Sequence, residues 1–205
     1  MTEKFTVYLV DDDPGVLKAL SRLLRAKGHD VKPYSSPQVF LEEHDVAVPG
    51  CVVLDVSMPG LDGLEIQRVL TAASGYHRPV VFVTGKGDIP TSVRAMKAGA
   101  IDFLTKPVKD KDLFEAVSRA EARDAESRRL HSELESMQAK VSNLTPRERE
   151  VLTHVVAGRL NKQIAGDLGT VEKTIKVHRS RMMEKLGIRM VADLVRIAEK
   201  LNLSK

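Results

Sequence analysis

The chain has no Trp, a single Cys and only 4% aromatic residues. Any core it builds is therefore aliphatic. The lone thiol, Cys51, excludes an internal disulfide and lies in an apolar run, so a reducing, cytoplasmic setting is expected. No apolar run approaches the ~20 residues that a membrane span requires, so no membrane partner is expected. The first residues also lack the charged, apolar, small-residue succession of a secretion signal. Neither Gly nor Pro occurs between residues 111 and 144, so nothing there interrupts a helix. The six His are scattered without metal-ligand spacing.

What is present divides unevenly. The 205 residues, 29% charged, fit one large globular domain or two small ones. The net charge of +4 hides an asymmetry. Residues 1–119 hold 15 Lys/Arg against 16 Asp/Glu, whereas residues 141–205 hold 13 against 7. A near-neutral front and a basic tail argue for two domains, the second facing a polyanion.

The front alternates strand-like and helix-like segments. Strands read Phe5–Val10, Val31–Tyr34, Cys51–Asp55, Pro79–Thr84 and Ala100–Leu104, short and rich in Val, Ile and Phe. Helices read Pro14–Lys27, Pro37–Glu43, Leu64–Ala72, Pro90–Ala98 and Lys111 onward. Pro14, Pro37 and Pro90 suit first turns, and Gly28 and Gly99 suit helix stops. Five βα units predict an α/β fold: a doubly wound (βα)5 domain with a five-stranded parallel sheet. The expected boundaries are 1–119 for this domain, 120–141 for a long helical linker and 142–205 for an all-α domain.

The linker carries Leu130, Leu134, Met137, Val141 and Leu144 at alternating spacings of four and three. That stripe either lies on one of the chain's own domains or pairs two chains, and two heptads do not decide between them. Asp124 and Ser127 interrupt it upstream. In the tail, Thr145-Pro146-Arg147-Glu148 is a capping-box helix start. Helices then read Arg147–Ala157, Lys162–Leu168, Glu172–Leu186 and Val191–Lys200. The tight Leu168-Gly169-Thr170-Val171 connection is a helix-turn-helix signal.

Polar residues fall at the C-terminal ends of four predicted strands: Asp11 and Asp12, Asp55, Thr84, and Lys106. Those ends share one edge of an open parallel sheet, where ligands bind. Three gathered carboxylates repel one another unless a hard cation joins them. Mg²⁺ (or Mn²⁺) would take Asp12 and Asp55 directly, Asp11 through water, and the backbone carbonyl of Ser57. Asp55, at the centre, is then the candidate nucleophile for an aspartyl phosphate. Lys106 and the Thr84 hydroxyl would hold the other phosphoryl oxygens, and Gly85 would leave the approach uncrowded. Asp13, before Pro14, reads only as a helix cap.

These stretches carry a specific resemblance. Val10-Asp11-Asp12-Asp13, Leu54-Asp55-Val56-Ser57-Met58-Pro59-Gly60, Val83-Thr84-Gly85, Met96-Lys97-Ala98-Gly99-Ala100 and Lys106-Pro107 resemble the receiver domain of two-component response regulators. The resemblance implies strand order 2-1-3-4-5. It implies that Asp55 accepts phosphate from a sensor histidine kinase, and that Lys106-Pro107 is cis. It also implies a switch in which Thr84 moves to the phosphoryl group and Phe103 turns inward. Ser57 and Lys86 then flank the pocket mouth, and a small Ser57 predicts a short-lived phospho-form.

In the tail, Ile175, Met182 and Leu186 share one helix face, while Lys173, Lys176, Val177 and Ser180 lie opposite, toward a DNA major groove. Lys176 suits guanine acceptors and Val177 a thymine methyl. Arg179, Arg181, Lys185, Asn161 and Lys162 suit phosphates. Leu144-Thr145-Pro146-Arg147-Glu148, Asn161-Lys162-Gln163-Ile164-Ala165, Thr174-Ile175-Lys176-Val177-His178-Arg179 and Lys185-Leu186-Gly187 resemble the LuxR/NarL-type helix-turn-helix. With Gly87-Asp88-Ile89-Pro90, the chain resembles FixJ-like regulators. Val171 departs from the usual capping Ser, and Thr170 is the candidate substitute.

The resemblance implies a transcription regulator, usually an activator, that dimerises on phosphorylation and meets duplex DNA and RNA polymerase. Its only chemistry is self-modification, so it is not expected to be an enzyme. Two other readings compete. A metal-dependent aspartyl phosphohydrolase would need an acid/base Asp where Ser57 stands. The other is an RNA- or purely protein-binding output; the tail has no aromatic stacking platform of the kind that single-stranded RNA readers use.

Overall fold

The computed structural model describes residues 4–72, 77–85, 89–201 and 203. The chain divides into two compact units, Met1–Arg129 and Leu130–Lys205. Unit one contains β1 (Thr6–Val10), α1 (Pro14–Ala26), β2 (Asp30–Tyr34), α2 (Pro37–Glu43) and β3 (Gly50–Asp55). It continues with α3 (Gly63–Ala72), β4 (Val80–Thr84), α4 (Ile89–Lys97) and β5 (Asp102–Thr105). The helix α5 (Asp110–Ser142) follows, and the boundary between the units falls within it. Unit two continues with α6 (Pro146–Val156), α7 (Asn161–Asp167), α8 (Glu172–Leu186) and α9 (Val191–Lys200).

The sheet is parallel throughout and ordered β2-β1-β3-β4-β5, as the resemblance implied. Alternation along each central strand builds two cores. Val7, Leu9, Cys51, Val53, Val81 and Val83 point to a layer closed by Leu17, Leu20 and Leu24 of α1 and Leu113, Ala116 and Val117 of α5. Tyr8, Val10, Val52, Leu54, Val80 and Phe82 point the other way, against Phe40, Ile66, Leu70 and Ala95 from α2, α3 and α4. β1, β3 and β4 are buried along their whole length, which is why they read as unbroken apolar runs rather than alternating ones.

Local signals placed the ends. Asp13 caps α1 by accepting from the Gly15 and Val16 N–H groups, and Ser36 caps α2 by accepting from Val39. Gly28 and Gly99 follow their helices at positive φ. β5 begins two residues later than the sequence suggests, at Asp102: the Ala100 N–H still donates back to the Ala95 carbonyl of α4, and the Ile101 N–H makes the first bond to β4, at the Val80 carbonyl.

In unit two, Val151, Leu152, Val155, Ile164, Ile175 and Met182 form one core with Leu186 and Leu194. Val141 and Leu144, the last members of the linker stripe, are buried in it, whereas Leu130 stays 42% exposed. Thr145 and Glu148 form the reciprocal capping box. Thr170 does not replace the missing cap: Val171 is the N-cap of α8, and among the described residues no side chain caps that helix start. Leu160 at the start of α7 cannot cap either, but the Gln163 side-chain Oε1 accepts from the Leu160 N–H at 2.9 Å.

Candidate functional site

Asp55 ends β3 and is flanked by β1 and β4, so Asp11, just beyond β1, and Thr84, at the end of β4, meet it at one sheet edge. Carboxylate oxygens of Asp11, Asp12 and Asp55 lie within 4.8 Å of one another. Asp11 and Asp55 are buried and Asp12 is exposed, so the cluster opens outward on one side. Lys106 directly follows β5 and is joined to Pro107 by a cis bond. Its Nζ bonds Asp11 Oδ2 at 2.6 Å and stands 3.3 Å from Asp55 Oδ2. Asp55 Oδ1 is buried and, among the described residues, has no hydrogen-bond partner.

The electrostatics follow from that packing. Burial pushes the Asp55 carboxyl above its ordinary value, and the Asp11 charge adds to the rise, while Lys106 and the Ser57 backbone oppose it. Burial pulls Lys106 down, but its bond to Asp11 and the charges of Asp11 and Asp55 outweigh this and hold it above its ordinary value. A donor set made only of oxygens, with one buried oxygen unpartnered, fits a hard divalent cation such as Mg²⁺.

Two glycines behave differently from each other. A Cβ at Gly63 would collide with the Asp55 carbonyl, so glycine there lets α3 start directly over the end of β3. Sequence reasoning missed it; the turn signal Leu61-Asp62-Gly63 was its only trace. Gly85 was expected to keep the approach open, but a Cβ there would meet nothing within 4 Å. Its smallness is not demanded by that contact.

Thr84 is fully buried, and Phe103 is partly buried with its ring 6.1 Å from that of Phe82. Ser57 is exposed beside the cluster. Lys86, Gly87 and Asp88 lie outside the described residues.

The second candidate surface is on α8. Ile175, Met182 and Leu186 are buried, while Lys173, Lys176, Val177, Ser180 and Arg181 are exposed on the remaining faces. His178 is partly buried beside the packed side. Lys176 Nζ pairs with Glu172 at 3.0 Å, one turn back. Asn161 and Arg179 bond to each other at 3.0 Å, and Lys162 is exposed beside them. Lys185, expected to serve a phosphate, also has a partner within the unit. Its Nζ is 2.6 Å from the buried Glu148, and that bond, with the Thr145 backbone, holds the Glu148 carboxyl below its ordinary value. The Lys185 side chain remains 39% exposed while it holds that bond.

A parallel five-stranded sheet with an acidic cluster, a hydroxyl and an ammonium at its carboxyl edge, followed by a helix-turn-helix unit, defines a receiver joined to a DNA-binding module. Comparison with known proteins agrees. Residues 7–118 match the response regulator receiver domain, and residues 142–198 match the bacterial regulatory proteins of the luxR family. The chain is 41% identical over 201 residues to Nodulation protein W of Bradyrhizobium diazoefficiens, covering 98% of this chain and 88% of that one. It is 40% identical over 201 residues to the transcriptional regulatory protein FixJ of Azorhizobium caulinodans, covering 97% and 93%. The solved structure of the response regulator StyR superimposes with a TM-score of 0.79 at 45% identity, over 96% of this chain and 99% of that one. The chain therefore belongs to the two-component response regulators with a LuxR-type DNA-binding domain, the group that includes the FixJ-like proteins.

Proposed function

We propose that Asp55 accepts a phosphoryl group from the phosphohistidine of a sensor kinase, and that this gates DNA binding by the second unit. One observation carries the reading: the Lys106 ammonium stands 3.3 Å from Asp55 Oδ2 beside three carboxylates whose oxygens lie within 4.8 Å of one another. An Asp55 carboxylate oxygen supplies the electron pair for the new P–O bond; the P–N bond breaks and the imidazole leaves with its electrons. Asp11, Asp12, Asp55 and the Ser57 carbonyl would hold Mg²⁺, which when bound neutralises phosphoryl-oxygen charge. Lys106 stabilises a second phosphoryl oxygen, and the Thr84 hydroxyl donates to a third.

Phosphate brings about two negative charges and three strong acceptors. Drawing Thr84 toward them opens space for Phe103, whose rotation reshapes the surface around α4 and β5. The reshaped surface favours a homodimer, and two helix-turn-helix units then engage paired half-sites and present an activator to RNA polymerase in the cytoplasm. Lys173, Lys176, Val177 and Ser180 face bases, and Asn161, Lys162, Arg179 and Arg181 serve phosphates. Ser57, where a phosphohydrolase needs an acid/base Asp, speaks against turnover on external phosphoesters.

The test is labelling by acetyl phosphate with Mg²⁺. The wild-type chain takes up one acid-stable, base-labile phosphoryl group, and Asp55→Asn takes up none. Undiminished labelling of Asp55→Asn eliminates Asp55 as the acceptor.

A further inference from the structure

Asn161, the first residue of α7, is joined to Arg179 in the middle of α8. Arg179 Nη1 donates to Asn161 Oδ1 at 3.0 Å across 18 positions of sequence. A guanidinium has no acceptor, which decides the amide's orientation: Oδ1 faces Arg179, and Nδ2 faces away. Both residues are only partly covered, and among the described residues no other side chain or carbonyl bonds either one. The pair therefore presents the two Nδ2 hydrogens, the remaining guanidinium N–H groups and one positive charge. Its one acceptor atom, Oδ1, is turned toward the guanidinium. Such a surface suits a phosphodiester oxygen. A free Arg on a helix surface samples many rotamers, and ordering it on a ligand is costly; a side chain held beforehand avoids that cost.

We propose that Asn161 acts on duplex DNA through Arg179, as a positioning residue that fixes the guanidinium for one phosphate. The proposal rests on the DNA-binding reading above. It assigns a neutral side chain an effect on an electrostatic quantity, which an independent amide contact cannot produce. Each phosphate neutralised by a cation contributes about 0.9 to the slope of log affinity against log salt, and a neutral amide contributes nothing.

The experiment measures binding of the full chain to a labelled random-sequence duplex across a salt series. The variants are Asn161→Ala, Arg179→Ala and the pair together, with thermal melting run on each. Random sequence suffices because such binding is dominated by phosphate contacts. Arg179→Ala lowers affinity ~5-fold and reduces the slope by about one unit. Asn161→Ala reproduces part or all of both effects although it removes no charge, and the double variant binds no more weakly than Arg179→Ala. If Asn161→Ala lowers the melting temperature, Asn161→Ser, whose hydroxyl is shorter and suits a helix start, replaces it in the cycle. The proposal is overturned if Asn161→Ala weakens binding at unchanged slope, if the two losses multiply in the double variant, or if Asn161→Ala changes nothing. Failure of the wild-type chain to bind duplex at low salt overturns the DNA-binding reading itself, and this proposal with it.

Discussion

At the scale of single residues, Lys106 is shared unequally: it bonds Asp11 at 2.6 Å and stands farther from Asp55, at 3.3 Å. On the proposed function, a phosphoryl group on Asp55 would compete with Asp11 for that ammonium, which would give Lys106 a part both in the transfer and in its consequence. Lys106→Ala is expected to slow labelling of Asp55 by acetyl phosphate about 10²-fold, the scale of losing one preorganised charge-stabilising donor. Initial labelling rates check this, and a wild-type rate removes Lys106 from the chemistry. Glu148 makes a separate prediction through its ion pair with Lys185. Its carboxyl lies below the ordinary Glu value when folded, so the unfolded chain binds more protons in that range. The stabilisation is whole above the unfolded Glu value and is lost as pH falls through the lowered folded value. Glu148→Gln should flatten the acid side of unit two's melting profile; parallel loss in wild type and variant below the ordinary Glu range would show that the pair contributes nothing.

At the scale of elements, α5 holds the least expected contact. Arg128 donates to the Val46, Ala47 and Val48 carbonyls between α2 and β3, at 2.7–2.8 Å, and pairs with the buried Asp124 at 3.0 Å. Arg78, lying over the Tyr8 ring, donates to the Val48 and Asp45 carbonyls of the same loop. The helix beyond residue 119, where the linker was expected to begin, is thus bound to the rest of unit one as far as Arg128. Arg128→Ala should destabilise unit one by about 2 kcal/mol, the scale of losing bonds to a charged donor. Hydrogen exchange should rise in residues 120–129 specifically; unchanged exchange there refutes the anchoring. On α8, Val171→Ser should restore a cap and raise stability by about 1 kcal/mol. A lower melting temperature would show that Val171 packs rather than merely fails to cap.

Elements were legible where the signal is local. Pro14, Pro37 and Pro146 opened helices, and Thr145 with Glu148 wrote a capping box that the structure reproduces. The gathering of Asp11, Asp12, Asp55 and Lys106 was legible because parallel strands bring their carboxyl ends to one edge whatever the loop lengths. Contacts between distant positions left no such trace. Nothing near Arg128 marks three carbonyls some 80 residues earlier, and nothing near Lys185 marks a buried carboxylate 37 residues away. Each reads as an ordinary surface cation until the fold supplies its partner.

At the scale of the whole molecule, two units with different chemistry share one chain. The first concentrates carboxylates at a sheet edge, and the second carries 13 of the 32 basic residues within residues 141–205. A hard-cation and phosphoryl site is useful to a basic DNA-binding unit only if occupancy of the first changes the affinity of the second. That coupling is a free-energy difference between states and is measurable as a ratio of binding constants. Beryllofluoride with Mg²⁺ imitates the acyl phosphate without turnover. The decisive measurement is duplex DNA affinity of the full chain, with and without beryllofluoride and Mg²⁺, for the wild type and for Asp55→Asn. Tighter DNA binding by the treated wild type, with no response from Asp55→Asn, is the predicted result. Equal affinity in the treated and untreated wild type, or an undiminished response in Asp55→Asn, would contradict it.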